Sequence, residues 1–419
     1  MILFLQVYFI ISSIFLFVYA SKSDNNASFS FGYGIAINIF PLVWMPYYSM
    51  DMARFFGVPL AYLPILAAGF VLIKRNNFKI LKEASSLLQL SIIFIVYTFF
   101  SSLILRGFTF KNFAYWFAWI LNFIIFFSSI TFFAKRNILL SKKVIKSTTL
   151  ILIFGCLTGI LRYLSGVSID SNFMPVVNRN GTVVIIVLFT PLLFYLFKIK
   201  ALNKSKFLIS IFILLVCTLL TFSRSGLIGV LLGFLLYYSR LNIKGLIAFV
   251  SVFIVLILIV YTGIFDDYLG RLFNTFDTLM ALTEGEEFNN SMADYNRIQL
   301  LQSALDIIEN NFLFGTGLGL ENYRKAFHEV SHHFHDSKSH NFYLSYFAEL
   351  GLIGFTILIL FFRKIYKSLL GLNSEFRAFK ISFILVAVMM TMNEYILLPE
   401  LWFFFGMLAG ISFKKKRFS

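Results

Sequence analysis

The stretch FLISIFILLVCTLLTFSRSGLIGVLLGFLLYYS, Phe207 to Ser239, holds two apolar runs and a single charge, Arg224, in the tight connection between them. Such runs approach the length of about 20 apolar residues that carries a helix across hydrocarbon, where backbone N–H and C=O groups must be satisfied within the segment. Similar runs recur at 1–20, 33–49, 58–73, 85–105, 113–133, 147–164, 181–197, 245–263, 342–362, 381–397 and 400–413. With 207–222 and 225–239 they amount to about thirteen spans, or about twelve if the proline-interrupted segment Phe40 to Gly57 lies flat at the surface. The expected fold is all-α: a polytopic transmembrane helical bundle of about 12–13 spans with one large, partly helical external loop.

Composition agrees, since the chain is 59% hydrophobic and only 13% charged, against about a quarter charged in a soluble domain. A formal charge of +16 would suit nucleic acid, but 24 of the 36 Lys and Arg lie in six short clusters beside apolar runs: 74–82, 135–146, 198–206, 240–244, 363–380 and 414–417. Short positive loops stay cytoplasmic, so the excess reports topology and no nucleic-acid partner is expected. By that rule 74–82 and the C-terminal tail lie inside, and 264–341 lies outside. The expected divisions are membrane helices over 1–263 (about ten spans), the external loop over 264–341, and the last membrane helices with a cytoplasmic tail over 342–419. Cys156 and Cys217 sit inside apolar runs and read as core residues, without a disulfide or metal framework. The first run ends in Val18-Tyr19-Ala20 but lacks a basic flank, so it is expected to remain as an uncleaved span.

The loop from Ile264 to Asn341 holds 12 of the 20 acidic residues, five basic ones, and all five histidines: His328, His332, His333, His335 and His340. Within it the pattern predicts a helix from Asp294, as a cap, to about Glu309, with Leu301, Ala304, Leu305 and Ile308 on one face. Gly315-Thr316-Gly317-Leu318-Gly319 breaks it, and a second helix is expected over Leu320 to Val330.

Arg224 lies at the margin of hydrocarbon, where a deep guanidinium costs about 2.5–3.5 kcal/mol and is by default functional; the alternative is an arginine reaching to headgroups from a tight turn. Ser223, Ser225 and Gly226 beside it would let an anion approach the backbone. Arg297 offers a second guanidinium, or else pairs with Asp294 on a solvated face. Arg271 and Arg179 are further candidates at the same membrane face, and guanidinium forks bind phosphate oxygens bidentately. His340, at the opening of a span with Asn341 next to it and Glu349 further along, can be neutral near pH 7 and take a proton from a hydroxyl. A competing set is His328-Glu329-Val330-Ser331-His332, an H-E-x-x-H pattern that on a helix would offer two zinc ligands, with Glu349 or His335 as a third.

Three pieces in this order, Thr221-Phe222-Ser223-Arg224-Ser225-Gly226, Arg297 followed by Phe314-Gly315-Thr316-Gly317-Leu318-Gly319, and Ser339-His340-Asn341-Phe342-Tyr343-Leu344 leading to Glu349-Leu350-Gly351-Leu352-Ile353-Gly354, resemble the O-antigen polymerase and ligase superfamily. The resemblance runs from about Arg179 to Gly354, and the first 170 residues match only in hydropathy. It implies a multi-pass protein of the bacterial inner membrane with a periplasmic loop and a cytoplasmic C-terminus. It further implies a membrane glycosyltransferase of polysaccharide and lipopolysaccharide biosynthesis, with an undecaprenyl-pyrophosphate-linked oligosaccharide as donor and no metal or other cofactor. A polymerase transfers the glycan to another lipid-linked repeat; a ligase transfers it to lipid A-core. Carried over by position, Arg224 and Arg297 would hold the pyrophosphate, with Arg179 and Arg271 beside them. His340 would be the base, and Asn341 and Glu349 would support it. The expected partners are the donor, an acceptor glycolipid, membrane lipids and a chain-length regulator. The histidine run His328 to His335 is not part of that pattern. A zinc peptidase and a transporter of lipid-linked glycan are the alternatives from other classes.

Overall fold

The computed structural model describes residues 2–39, 54–55, 58–60, 62–75, 82–135, 138–164, 179–221, 223–238, 292–330, 338–372, 376–392 and 394–418. Among them are fourteen α-helices: α1 (Ile2–Lys22), α2 (Asp24–Ile39), α3 (Tyr62–Arg75), α4 (Ser85–Leu105), α5 (Phe110–Lys135), α6 (Ile138–Leu164) and α7 (Arg179–Lys198) come first. Then follow α8 (Lys204–Leu220), α9 (Arg224–Tyr238), α10 (Met292–Asn310), α11 (Leu320–Val330), α12 (Phe342–Leu370), α13 (Arg377–Met389) and α14 (Pro399–Phe418). Among the described residues, extended structure is confined to one two-residue antiparallel pair, Arg54–Phe55 with Val58–Pro59. The all-α expectation holds. Among the described residues four helices are long and apolar enough to cross a membrane, Leu3–Lys22, Lys82–Leu105, Phe110–Ala134 and Phe342–Leu370, and four shorter ones are also apolar. The expected span 245–263 lies outside the described residues, as do most of 33–49 and the loop residues 264–291 and 331–337.

The centre of the bundle is built on aromatic packing between α5 and α14. Trp119 and Trp402 meet edge to face at 5.5 Å and Phe123 meets Trp402 at 4.9 Å, with Phe361 of α12 closing the cluster at 5.4 Å from Phe123. Such pairs add about 0.5–1.5 kcal/mol each beyond area burial. Gly406 and Gly410 let the two helices touch: a Cβ on Gly406 would stand 2.4 Å from the Phe126 carbonyl oxygen, and one on Gly410 2.9 Å from that of Ile130. Close backbone approach at small residues is the usual packing device where lipid removes the hydrophobic drive between helices. Ile104, Phe212 and Leu3 stay largely exposed, as apolar side chains do against acyl chains.

Close contacts also fix which helix ends lie together. Gly226 packs on Val183 and Gly229 on Val187, so α7 and α9 run parallel and begin at the same end. Arg377 donates to the Leu236 carbonyl (2.6 Å) at the far end of α9 while Gly229 faces Met389, so α13 runs antiparallel to α9. The Met390 carbonyl then accepts the Phe342 N–H (2.9 Å). The N-termini of α7, α9 and α12 therefore converge on one end of the bundle. The Lys414–Arg417 tail lies at the opposite end, because α14 runs parallel to α5 and Tyr115 near the start of α5 meets Tyr346 near the start of α12.

Three details differ from the sequence expectations. The run read as ending at Leu397 stops as a helix at Met389, and Tyr395–Leu397 forms a single 3-10 turn, because the Met390 carbonyl is taken by the start of α12. In α10 the helix begins before Asp294, which lies inside the first turn instead of capping it. Its buried face is Leu300, Ser303, Ala304, Ile307 and Ile308, while Leu305 is exposed, since the partner of this helix is α11 with α12 instead of a lipid surface.

Candidate functional site

The span expected to be continuous from Phe342 is broken at Gly351, whose φ of 62° and ψ of −175° leave the helical region. A break strands the carbonyls before it and the amides after it, which a low-dielectric surrounding makes costly. The Gly-rich segment after α10 satisfies them. Thr316 N–H donates to the Ala348 carbonyl (2.9 Å) and Gly317 N–H to that of Glu349 (3.0 Å). Leu352 N–H donates to the Phe312 carbonyl (2.8 Å), Ile353 N–H to that of Leu313 (3.3 Å), and the Tyr97 hydroxyl to that of Leu350 (2.8 Å). Gly315 (φ 73°) and Gly351 face each other so closely that a Cβ on either would stand 2.4 Å from the other's nitrogen. Gly351→Ala combines a left-handed backbone with a backbone collision and should cost about 2–4 kcal/mol. Thermal unfolding in detergent checks this, with Gly354→Ala, whose Cβ would meet side chains of Tyr97 and Leu350, as the milder comparison.

The same junction organises a buried charge cluster. The Glu349 carboxylate accepts Gly319 N–H (3.1 Å) and forms an ion pair with Lys338, both side chains almost wholly buried. Lys338 also donates to the Tyr115 hydroxyl (3.0 Å) and lies 4.8 Å and 5.0 Å from the ring centres of Tyr115 and Tyr346. Those two hydroxyls are bonded to each other at 2.6 Å. Burial disfavours the ammonium, but Glu349, Tyr346 and Glu394 together outweigh it and hold the amine above its ordinary range. Lys338 is thus a fixed positive charge, and Glu349 ties it to the Gly-rich segment.

His340 stands two residues beyond Lys338, exposed, with φ at 55°. A non-glycine residue in that region stores about 1–3 kcal/mol and persists only where its neighbours impose it. Asn341 imposes part of it by capping α12: its side-chain oxygen accepts Tyr343 N–H (2.9 Å) and Leu344 N–H (3.2 Å). On the other side, Glu394 accepts the His340 backbone N–H and the Ser345 hydroxyl. Glu349, expected to support His340, instead pairs with Lys338.

Arg179 and Arg224 open α7 and α9 at the end of the bundle where His340 precedes α12. Ser223 caps α9, its hydroxyl accepting Gly226 N–H at 3.4 Å and meeting Ser225 at 3.1 Å. A helix start of this kind carries partial positive charge toward an anion. Arg297 lies in the second turn of α10. Because α10 ends beside the Gly351 break and packs back along the first segment of α12, its N-terminal half extends toward the His340 end. Arg271 lies outside the described residues, as do His332, His333 and His335. His328 sits in the last turn of α11, and Glu329, the acid of the H-E-x-x-H pattern, makes two 2.6 Å bonds to Arg106.

Residues 209–359 match the family model described as O-antigen ligase. Over that span, which is less than half of the chain, the protein is similar to the O-antigen ligase family. No curated protein matches the chain. The O-antigen ligase match takes in Arg224, Arg297, the Gly-rich segment, His340 and Glu349, while Arg179 and Glu394 lie outside it. The matched family implies a membrane glycosyltransferase-like enzyme acting on lipid-linked glycans, and the match together with these apolar helices supports a multi-pass membrane protein.

Inside the O-antigen ligase region, sequence reasoning passes over Lys338, which stands in a polar, histidine-rich turn with nothing to single it out. Tyr115 is brought to it from α5, more than 200 positions earlier. Glu394 did carry a signal, an acid within a segment read as a span, which is by default functional. Docking of α11 against the 106–111 turn also went unseen. Arg106 lowers the Glu329 carboxyl by hydrogen bonding, and Thr109 then Lys111 do the same for Glu321. Carboxyls lowered in the folded state stabilise above their unfolded value near 4.5 and lose that contribution as pH falls through it toward the folded value. These pairs are exposed or partly so and worth about 0.2–1 kcal/mol each. Protection factors of the Leu320–Val330 amides, corrected for the intrinsic exchange rate at each pH, should therefore fall modestly between pH 7 and pH 4, and Arg106→Ala should remove part of that dependence.

Proposed function

We propose that the chain is a polymerase of lipid-linked repeat units, transferring an undecaprenyl-pyrophosphate-linked glycan onto the acceptor sugar of another lipid-linked repeat at the periplasmic face of a bacterial inner membrane, with the C-terminal tail cytoplasmic. The observation that carries it is the convergence, at one end of the bundle, of the helix starts bearing Arg179 and Arg224 with the strained His340 that precedes α12. In the proposed step the acceptor hydroxyl oxygen bonds to the anomeric carbon, the bond from that carbon to the pyrophosphate oxygen breaks, and the hydroxyl proton passes to the His340 imidazole. Arg224 and Arg297, with Arg179 and Arg271 beside them, would hold the departing pyrophosphate, since fixed guanidinium groups stabilise developing charge without reorganising. A single displacement of this kind inverts the anomeric centre. No cofactor is assigned, and a chain-length regulator is the expected protein partner.

One observation favours a second reading: the matched family is described as O-antigen ligase. A ligase would use the same donor residues and pass the glycan to lipid A-core. Purified protein incubated with a defined lipid-pyrophosphate oligosaccharide, with and without lipid A-core, separates the two. A ladder of lengthened lipid-linked products from donor alone supports the polymerase; product only with core supports the ligase; neither product sinks both. In the same assay Arg224→Lys should lower turnover by about 10²-fold, because a point charge does not reproduce the guanidinium fork.

A further inference from the structure

Glu394 lies 54 positions beyond His340 in the chain and outside the O-antigen ligase match, in the turn between α13 and α14, yet its carboxylate closes on the residue that precedes α12. It accepts the His340 backbone N–H and the hydroxyl of the fully buried Ser345. The Ser345 hydroxyl in turn meets Ser339 Oγ at 2.7 Å, and Ser339 Oγ bonds the Asn341 backbone at 3.2 and 3.3 Å. The three residues Ser339, His340 and Asn341 are therefore gripped from one side by a single acid. From the other side Lys338 is locked to Glu349 and Tyr115. His340 is one of only two non-glycine residues with positive φ among the described residues. The other is Lys200, in the turn between α7 and α8. A left-handed conformation at a non-glycine residue persists where its surroundings hold it, and the bonds to the His340 backbone and its neighbours do so here.

We infer that Glu394 is the positioning residue of His340: by accepting its backbone N–H while anchored on Ser345, it holds His340 in the left-handed conformation that presents the imidazole to the acceptor hydroxyl. The inference rests on His340 being the base, and it extends the site across the chain to the α13–α14 turn. Lys338 and Glu349 are the charged groups facing Glu394 from the loop and α12, with Tyr115 from α5 and Tyr323 from α11. The lysine charge balances one of the two acids. Because its carboxyl accepts the His340 N–H and the Ser345 hydroxyl, the side chain acts through backbone geometry and not as a second base in contact with substrate.

The test uses the full-length protein in detergent or nanodiscs and two readouts. Glu394→Ala should lower kcat by about 10- to 100-fold with the KM for the lipid-linked donor unchanged, as expected when an intact group is displaced. Exchange of the His340 amide should quicken by about tenfold or more, since the bond to Glu394 is lost. Glu394→Gln, which keeps an acceptor oxygen, should fall between the two proteins in both readouts. Should Glu394→Ala fail to fold, Glu394→Gln and Ser345→Ala carry the same pair of measurements. Unchanged kcat together with unchanged His340 amide exchange overturns the inference, as does a rise in KM at constant kcat. Activity in His340→Ala would instead overturn the base assignment; the amide exchange in Glu394→Ala still decides whether the clamp exists.

Discussion

His340→Ala should reduce glycan transfer by about 10²- to 10⁴-fold, the contribution typical of a positioned general base, while leaving the protein folded and the lipid-linked donor bound. The expectation of retained folding follows from exposure: the imidazole is not part of the packed core, and the bonds that shape this turn are made by the backbone of His340 and by the side chains of Ser339, Asn341 and Glu394. Alanine in the left-handed region adds a strain the histidine already bears, so stability should change little. Single-turnover transfer with saturating donor, alongside donor binding by the same preparation, separates a chemical defect from a binding one. Normal glycan lengths in the variant would remove His340 from the chemistry. His332→Ala and His335→Ala should be mild by comparison, because the pyrophosphate and base roles are assigned elsewhere.

Glu349→Ala should be the most damaging change to the fold in this region, costing about 3–5 kcal/mol, because it leaves the Lys338 ammonium buried without its counter-charge. It also releases Gly319, whose N–H the carboxylate accepts, and so loosens the segment that satisfies the broken α12. The double variant Glu349→Ala with Lys338→Met should recover much of that loss, since replacing both members of a buried pair by apolar groups is often close to neutral. A double-mutant cycle on thermal or denaturant unfolding reads this. If the single variants were as stable as the parent, the pair would be solvated and the description of this cluster wrong.

The helices themselves were legible because their signal is local. Apolar runs such as 85–105 and 181–197 returned as α4 and α7 nearly residue for residue, and the loop helices appeared where Leu320 to Val330 and the spacing before Glu309 pointed. The break at Gly351 was not legible. A lone glycine in an apolar helix costs only about 1 kcal/mol and is commonly tolerated, so nothing between Phe342 and Phe362 announces it. The cause lies 36 positions earlier, in Gly315, whose backbone occupies the space that continuous helix would need. The charged core was hidden for the same reason: Tyr115 and Glu394 come from parts of the chain distant from the stretch that holds Lys338 and Glu349, and no pattern of spacing relates them. The resemblance, by contrast, concerns short motifs whose order survives in the sequence, and it pointed to the region that the family match later covered.

The central claim is that one end of this bundle, lined by the starts of α9 and α12, receives the pyrophosphate of a lipid-linked glycan beside His340. A photoreactive undecaprenyl-pyrophosphate oligosaccharide, crosslinked to the purified protein and mapped by peptide sequencing, tests it most directly. Labelling should fall on peptides containing Arg224 to Gly226 and Lys338 to Phe342, and be competed by unmodified donor. Competable labelling confined to the opposite end of the bundle, around Lys198 to Lys204, with neither of those peptides modified, would contradict it.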